Sequence, residues 1–211
     1  MTSTSANKNM LFGGAILAIF ALAAALLVGL THDSTVEIIA ENERKALMET
    51  LHLLVPNNKH DNDIFTDLIH VRAEELADRK FPFITVYRAR KGSEPVAAIL
   101  EIVTQEGYSG TIKLLVAINY DGTLSGSRVV SHRETPGLGD GIEARKSRWI
   151  FQFEGQSIQL KNSKQWQVKK DGGQFDQLTG ATISSRAIVK ATRKALEYFD
   201  IHKHELFLRA Q

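Results

Sequence analysis

From Leu11 to Leu30 the chain carries no charged or polar side chain. Wound as an α-helix, about 20 residues cover about 30 Å, the thickness of a bilayer's hydrocarbon core. A cleaved signal peptide has a shorter apolar core, about 7–15 residues. The exit here reads Thr31-His32-Asp33, with no small-x-small cleavage pattern. The run therefore reads as a retained single-pass anchor. Lys8 and the α-amine flank its start, whereas Asp33 and Glu37 follow it and basic residues begin only at Arg44. The positive-inside rule then makes residues 1–10 a cytoplasmic tail and places the rest on the periplasmic side of the inner membrane. Ala21, Ala25 and Gly29 form a small-xxx-small row suited to packing on another membrane helix, or equally are filler in an Ala-rich span.

Beyond the anchor, Ser34-x-x-Glu37 has the form of a capping box and predicts the start of a second helix. Val36, Ala40, Leu47, Leu51 and Leu54 recur on one face of it, and Val55-Pro56 stops it. Asn57 to Asp63 is a polar loop, and a shorter helix is expected around Asp67 to Asp78. Residues 31–80 thus read as a helical stalk.

From Phe81 the apolar period shortens to that of strands. Phe83 to Tyr87, Val96 to Val103, Ile112 to Ile118 and Arg128 to Ser131 are β-rich runs. They are separated by turn signals at Lys91-Gly92, Gly107-Tyr108-Ser109-Gly110 and Asp121-Gly122. Four strands with short connections predict an antiparallel sheet. A short helix is expected around Ile142 to Trp149, with further short strands at Phe151 to Gly155 and Trp166 to Val168. A last helix runs from about Ser184 to Asp200. Ile188, Ala191, Ala195 and Phe199 face inward on it, and Arg186, Lys190, Arg193 and Lys194 form an outer face, solvated or able to dock an acidic partner. The fold class is α+β: an anchor at 11–30, the stalk, and a sheet domain over 81–205 closed by the C-terminal helix.

The 211 residues include no cysteine and carry a formal charge of +2. Without cysteine there are no four-Cys iron–sulfur clusters, thioether haem, thiol catalysis or zinc knuckles. Scattered basic residues argue against a nucleic-acid surface. No dinucleotide fingerprint, phosphate loop, nucleophile elbow or His-Glu-x-x-His pair is present. Two Gly-rich segments remain. His132-Arg-Glu-Thr-Pro-Gly-Leu-Gly-Asp-Gly141 sets a His, an Arg and a Glu in a turn that admits a close ligand, or is a plain connection. Asp176-Gln-Leu-Thr179-Gly180-Ala181-Thr182-Ile-Ser184-Ser185 opens the last helix. Small residues there admit close approach, and free N–H groups at a helix start suit a phosphate. An ordinary cap on a surface helix is the alternative.

Asp176-x-x-Thr179-Gly180-Ala181-Thr182 resembles the flavinylation motif of FMN-binding domains, Asp-x-x-Ser/Thr-Gly-Ala-Thr. Gly107-Tyr-Ser-Gly110 and His132-Arg-Glu-Thr-Pro-Gly-Leu-Gly139 match in the family's order. With one anchor and this length, the chain is similar to the G subunits of Rnf/Rsx ion-translocating electron transport complexes. The C subunit of the sodium-translocating NADH:quinone oxidoreductase shares the domain. The resemblance implies FMN held by a phosphoester on Thr182 and installed by a flavin transferase for which Asp176 is a recognition element. It implies cofactor contacts from Thr179, Gly180 and Ala181. It also implies Glu134, Thr135, Gly137 and Leu138 near the isoalloxazine, with Leu138 as an apolar contact and Thr135 as a donor. The implied role is an electron relay among other membrane and redox subunits, without catalytic residues, metal or independent turnover. A stand-alone extracytoplasmic electron shuttle and a non-redox anchored binding module are the alternative functions.

Overall fold

The computed structural model describes residues 3–78, 80–158 and 164–208; Met1 and Thr2 of the expected tail lie outside them. By compactness the chain divides into two units, Met1–Leu47 and Met48–Gln211.

One helix, α1, runs Ser3–Leu54. It does not break at residue 34, which corrects the capping-box expectation. The hydroxyls that would start a new helix bond backward instead: Thr31 Oγ1 to the Leu27 carbonyl at 2.8 Å, Ser34 Oγ to that of Thr31 at 3.0 Å, and Thr35 Oγ1 to the same carbonyl at 2.8 Å. Backward bonding of this kind lets Ser and Thr sit inside a helix. The apolar segment of α1 is long enough to cross a membrane. Leu11, Phe12, Leu17, Phe20, Leu22 and Leu26 are all well exposed along it. Such an apolar sleeve belongs in hydrocarbon, so α1 is a membrane anchor.

The second unit is built on five antiparallel strands in the order β1-β2-β3-β4-β5: Leu68–Arg72, Phe83–Lys91, Glu94–Gly107, Gly110–Asn119 and Leu124–Ser131. Each strand pairs with its sequence neighbour, as tight turns permit. The helix expected around residues 67–78 is instead β1, which pairs Ile69 with Val86 and Val71 with Ile84. The stalk reading of residues 31–80 fails there, because Ile69 and Val71 alternate with exposed His70 and Arg72 and so follow a strand's period of two.

One sheet face carries Val86, Leu100, Leu114 and Val116 into the main core. The C-terminal helix α2, Thr182–Leu208, covers it with Ile188, Ala191, Ala195 and Phe199, the four positions read as inward from sequence. The other face carries the row Tyr87, Ile99, Ala117 and Gly126, set side by side by the strand registers. The end of α1 lies on this face. A Cβ on Gly126 would come 3.1 Å from Leu54 Cδ2, and Ser125 Oγ donates to the Leu54 carbonyl at 2.5 Å. Leu51, Leu54 and Val55 are buried. Burial first, and the neighbouring Glu101 second, push the Tyr87 phenol above its ordinary range.

After β5 the chain is mostly turns. The helix expected at Ile142 to Trp149 and the strand expected at Phe151 to Gly155 are replaced by short 3-10 helices at Gly139–Ile142 and Trp149–Phe153. Side-chain packing explains the second: Trp149, Phe153, Phe175 and Trp166 form a chain of ring contacts with centroids 5.5, 5.0 and 4.8 Å apart. Of the strand expected at Trp166 to Val168, one parallel bridge from Val168 to Phe175 is present.

Candidate functional site

Three segments distant in sequence meet at the start of α2. The turn after β3 supplies Ser109, the loop after β5 supplies Glu134, and the first turn of α2 supplies Ser184. The Ser109 amide donates to Glu134 Oε1 at 3.0 Å, and the Ser184 hydroxyl donates to Glu134 Oε2. Glu134 is 4% exposed and Ser184 fully buried. A buried carboxylate is costly unless its oxygens are bonded, so this clamp holds only with all three segments in place.

Glycines make room for the clamp. A Cβ on Gly107 would lie 2.4 Å from the Gly110 carbonyl oxygen and 2.7 Å from Glu134 Oε1. A Cβ on Gly139 would lie 2.8 Å from that of Glu134. The loop is fixed from behind as well. The Glu134 amide donates to His132 Nδ1 at 3.0 Å. That nitrogen is therefore the acceptor, and Nε2–H donates to Glu143 at 2.9 Å. Burial raises the Glu143 pKa, but hydrogen bonds from Arg145 and then His132 outweigh it and hold the carboxyl below its ordinary range.

The Thr-Gly-Ala-Thr stretch forms the turn into α2. Gly180 has φ +78°, a left-handed conformation that glycine adopts without strain. A Cβ there would sit 3.1 Å from Leu138 Cδ2, so the Pro-Gly-Leu-Gly loop and the helix-opening turn touch through these two residues. Ala181 is buried, Thr179 and Thr135 are exposed, and Gly137 is an exposed turn residue with φ +79°. Thr182 is the first residue of α2 and half-buried. Its hydroxyl has no hydrogen-bond partner among the described residues.

Among the described residues, no hydroxyl of Thr182, Ser184 or Ser185 caps an amide of the first turn, as the alternative reading of an ordinary cap would require. Ser184 serves the clamp, while Ser185 Oγ donates to the Ala181 carbonyl at 3.0 Å and accepts from the Leu178 amide at 3.0 Å. The first helical bond runs from the Ser185 amide to the Ala181 carbonyl. The amides of Thr182, Ile183 and Ser184 therefore precede the ladder and carry the helix's positive end.

Asp176 stands apart from this centre. Its carboxylate is exposed and pairs with Lys169 at 2.6 Å. Its backbone is what is fixed: Trp149 Nε1 donates to its carbonyl at 2.5 Å, and its amide donates to Gln152 Oε1 at 2.8 Å. Sequence reasoning did not find Ser109, Ser184, Trp149 and Gln152 as supports, because nothing local marks a partner 24 or more residues away. Next to the helix-opening turn stand Leu138 and Ile183, 52% and 46% exposed. Among the described residues no cluster of metal ligands occurs.

A sheet closed by one helix, with a threonine at the helix start inside a small-residue turn, defines the class: residues 107–197 match the FMN-binding domain family, and residues 1–54 match the RnfG N-terminal region. The G subunit of the ion-translocating oxidoreductase complex of Shewanella loihica is 43% identical over 203 residues, covering 96% of this chain and 95% of the relative. That of Vibrio atlanticus is 42% identical over 193 residues, 92% and 91% of the two chains. That of Aliivibrio fischeri is 40% identical over 191 residues, 90% of each. The chain belongs to the family of ion-translocating oxidoreductase complex G subunits.

Proposed function

We propose that this protein is the anchored flavoprotein subunit of such a complex, carrying FMN as a phosphoester on Thr182 and relaying electrons between neighbouring redox subunits while the complex moves ions. The observation that carries this reading is the Thr182 hydroxyl, unpartnered among the described residues, at the positive start of a 27-residue helix. A phosphodiester retains one negative charge, and such a charge at a helix N-terminus gains about 0.3–1 kcal/mol, more where partly buried. FMN, when bound, supplies chemistry that links one-electron and two-electron carriers. The protein's own part is to hold and orient. Gly180 and Ala181 leave room against the backbone, Leu138 and Ile183 offer apolar surface, and the Glu134 clamp fixes Thr182 relative to both loops. Thr135, exposed on the loop, is the hydrogen-bond donor in this reading. Independent turnover is not expected. Asp176, exposed on a fixed backbone, suits recognition by a flavin transferase. The periplasmic side is the reading the charge bias favours.

Thr182→Val tests the attachment. It should abolish the flavin fluorescence of the denatured full-length chain and remove an FMN-sized increment from its intact mass. Fluorescence that persists on the Thr182→Val chain would show that Thr182 is not the attachment site.

A further inference from the structure

Glu134 is held twice, its carboxylate by the clamp and its backbone by His132. A backbone amide can only donate, so the ring nitrogen that receives the Glu134 amide, Nδ1, carries a lone pair. The proton sits on Nε2 and is donated to Glu143. Flipping the ring would break both bonds, so it is neutral and fixed in one tautomer. The His132 and Glu143 side chains are 11% and 17% exposed, which leaves water little room to replace either bond.

The hold on Glu134 extends along the loop. The Thr135 carbonyl receives the amides of Leu138, Gly139 and Asp140 at 3.2, 2.9 and 3.3 Å, so the turn is tied to the residue after Glu134. Leu138 in turn reaches Gly180 at the opening of α2.

A second proton can enter the ring only at Nδ1, where it would point at the Glu134 N–H. The bond from Nε2–H to Glu143 survives that step and becomes charge-assisted on both sides. Burial raises Glu143, but hydrogen bonds from Arg145 and the ring hold it below the ordinary carboxylate range, so it stays ionised. Protonation therefore keeps Glu143 and releases Glu134. Other charged groups nearby are engaged elsewhere. The Glu134 carboxylate is in the clamp, and Asp140 pairs with Lys146 at 3.6 Å. Lys113, paired across the strands with Ser131, holds Glu101.

We infer that His132 is a positioning residue: its neutral ring holds the loop that brings Leu138 to the opening of α2, and a proton from solvent on Nδ1 releases that loop. Only the naming of this loop as a cofactor wall rests on the proposed function.

The chain has no cysteine, so Arg133→Cys places a single nitroxide spin label on the exposed residue between His132 and Glu134. The label is read in the full-length chain with and without Thr182→Val, so the outcome does not depend on where flavin is attached. Imidazoles as a class gain their proton between about pH 8 and about pH 5. Over that interval the mobile-to-immobile ratio of the label should rise as a one-proton transition, by up to about tenfold per pH unit. His132→Asn keeps an acceptor for the amide two residues on and takes no proton, so its label should stay immobile throughout. Glu143→Gln removes the charge that steadies the imidazolium and should move the transition to lower pH. A label on Lys91→Cys, at the β2–β3 hairpin, should not respond. A flat profile at Arg133→Cys overturns the proposal. So does an acid response that survives His132→Asn or appears equally at Lys91→Cys. A circular-dichroism melt reports whether the His132→Asn chain is folded. If it is not, Glu143→Gln decides, and a transition that stays in place or moves to higher pH is the overturning result.

Discussion

Glu134 is the residue on which the site turns, and its role differs from what its place in the loop implied. Both carboxylate oxygens are bonded from below, to Ser109 and Ser184. Glu134→Ala should therefore cost about 1–3 kcal/mol, the penalty for stranding the buried Ser184 hydroxyl, read as a lower urea midpoint. Glu134→Gln, keeping one good acceptor, should cost less. Equal losses would mean the clamp contributes only through packing. Glu143 gives a pH signature. Its carboxyl is held below the ordinary carboxylate range in the fold. Its stabilising share is therefore present above the unfolded pKa of about 4.3 and lost as pH falls through the folded value. The stability gap between the native chain and Glu143→Gln should narrow as pH is lowered from about 7 to about 3.5, in urea midpoints across that range. A gap that stays constant would refute the assignment.

Among the elements, the end of α1 and the end of α2 are tied to the sheet by different means. Leu54 is packed on Gly126, so Leu54→Ala should cost about 2–5 kcal/mol, measured by denaturant unfolding in detergent. At the other end, Arg88 and Arg90 reach the carbonyls of Leu206 and Phe207 at 3.2 and 2.9 Å, which lets them complement the negative end of α2. Asp67 holds both arginines, at 2.5 and 2.9 Å. Asp67→Asn leaves the buried Arg88 under-compensated and should cost about 3 kcal/mol or more, with amide exchange rising first near Leu206. Such elements were unevenly legible. Asp121-Gly122, the β-branched runs and the 188/191/195/199 stripe speak through local rules, and the structure follows them. The strand at 68–72 is too short for its two inward residues to outvote a helical reading. Ser34-x-x-Glu37 satisfied a cap rule, but a long helix already in progress needs no new nucleus and runs through it. A buried arginine in β2 has no sequence signature at all, because its acid and its helix end lie far along the chain.

At the scale of the whole molecule, the absence of cysteine makes membrane sidedness directly measurable. Lys91→Cys introduces a single thiol on an exposed hairpin of the sheet. A membrane-impermeant maleimide should label it in cells whose outer membrane alone has been opened. Labelling only after the inner membrane is broken would put the domain on the cytoplasmic side. The motif around Thr182 could be read from sequence because its small residues and hydroxyls are contiguous. Its surroundings could not, since the clamp joins positions 25 and 50 residues apart. That separation has a consequence in time. The five strands pair only with sequence neighbours, so the sheet can zip from hairpin to hairpin at little cost in loop closure. The Arg88–Leu206 contact closes a loop of 118 residues and has to wait for the whole sheet. The surroundings of Thr182, joined across 25 and 50 residues, are expected to form after the hairpins have paired. On the proposed reading, the flavin of a folded molecule is held by surroundings that only the finished fold supplies.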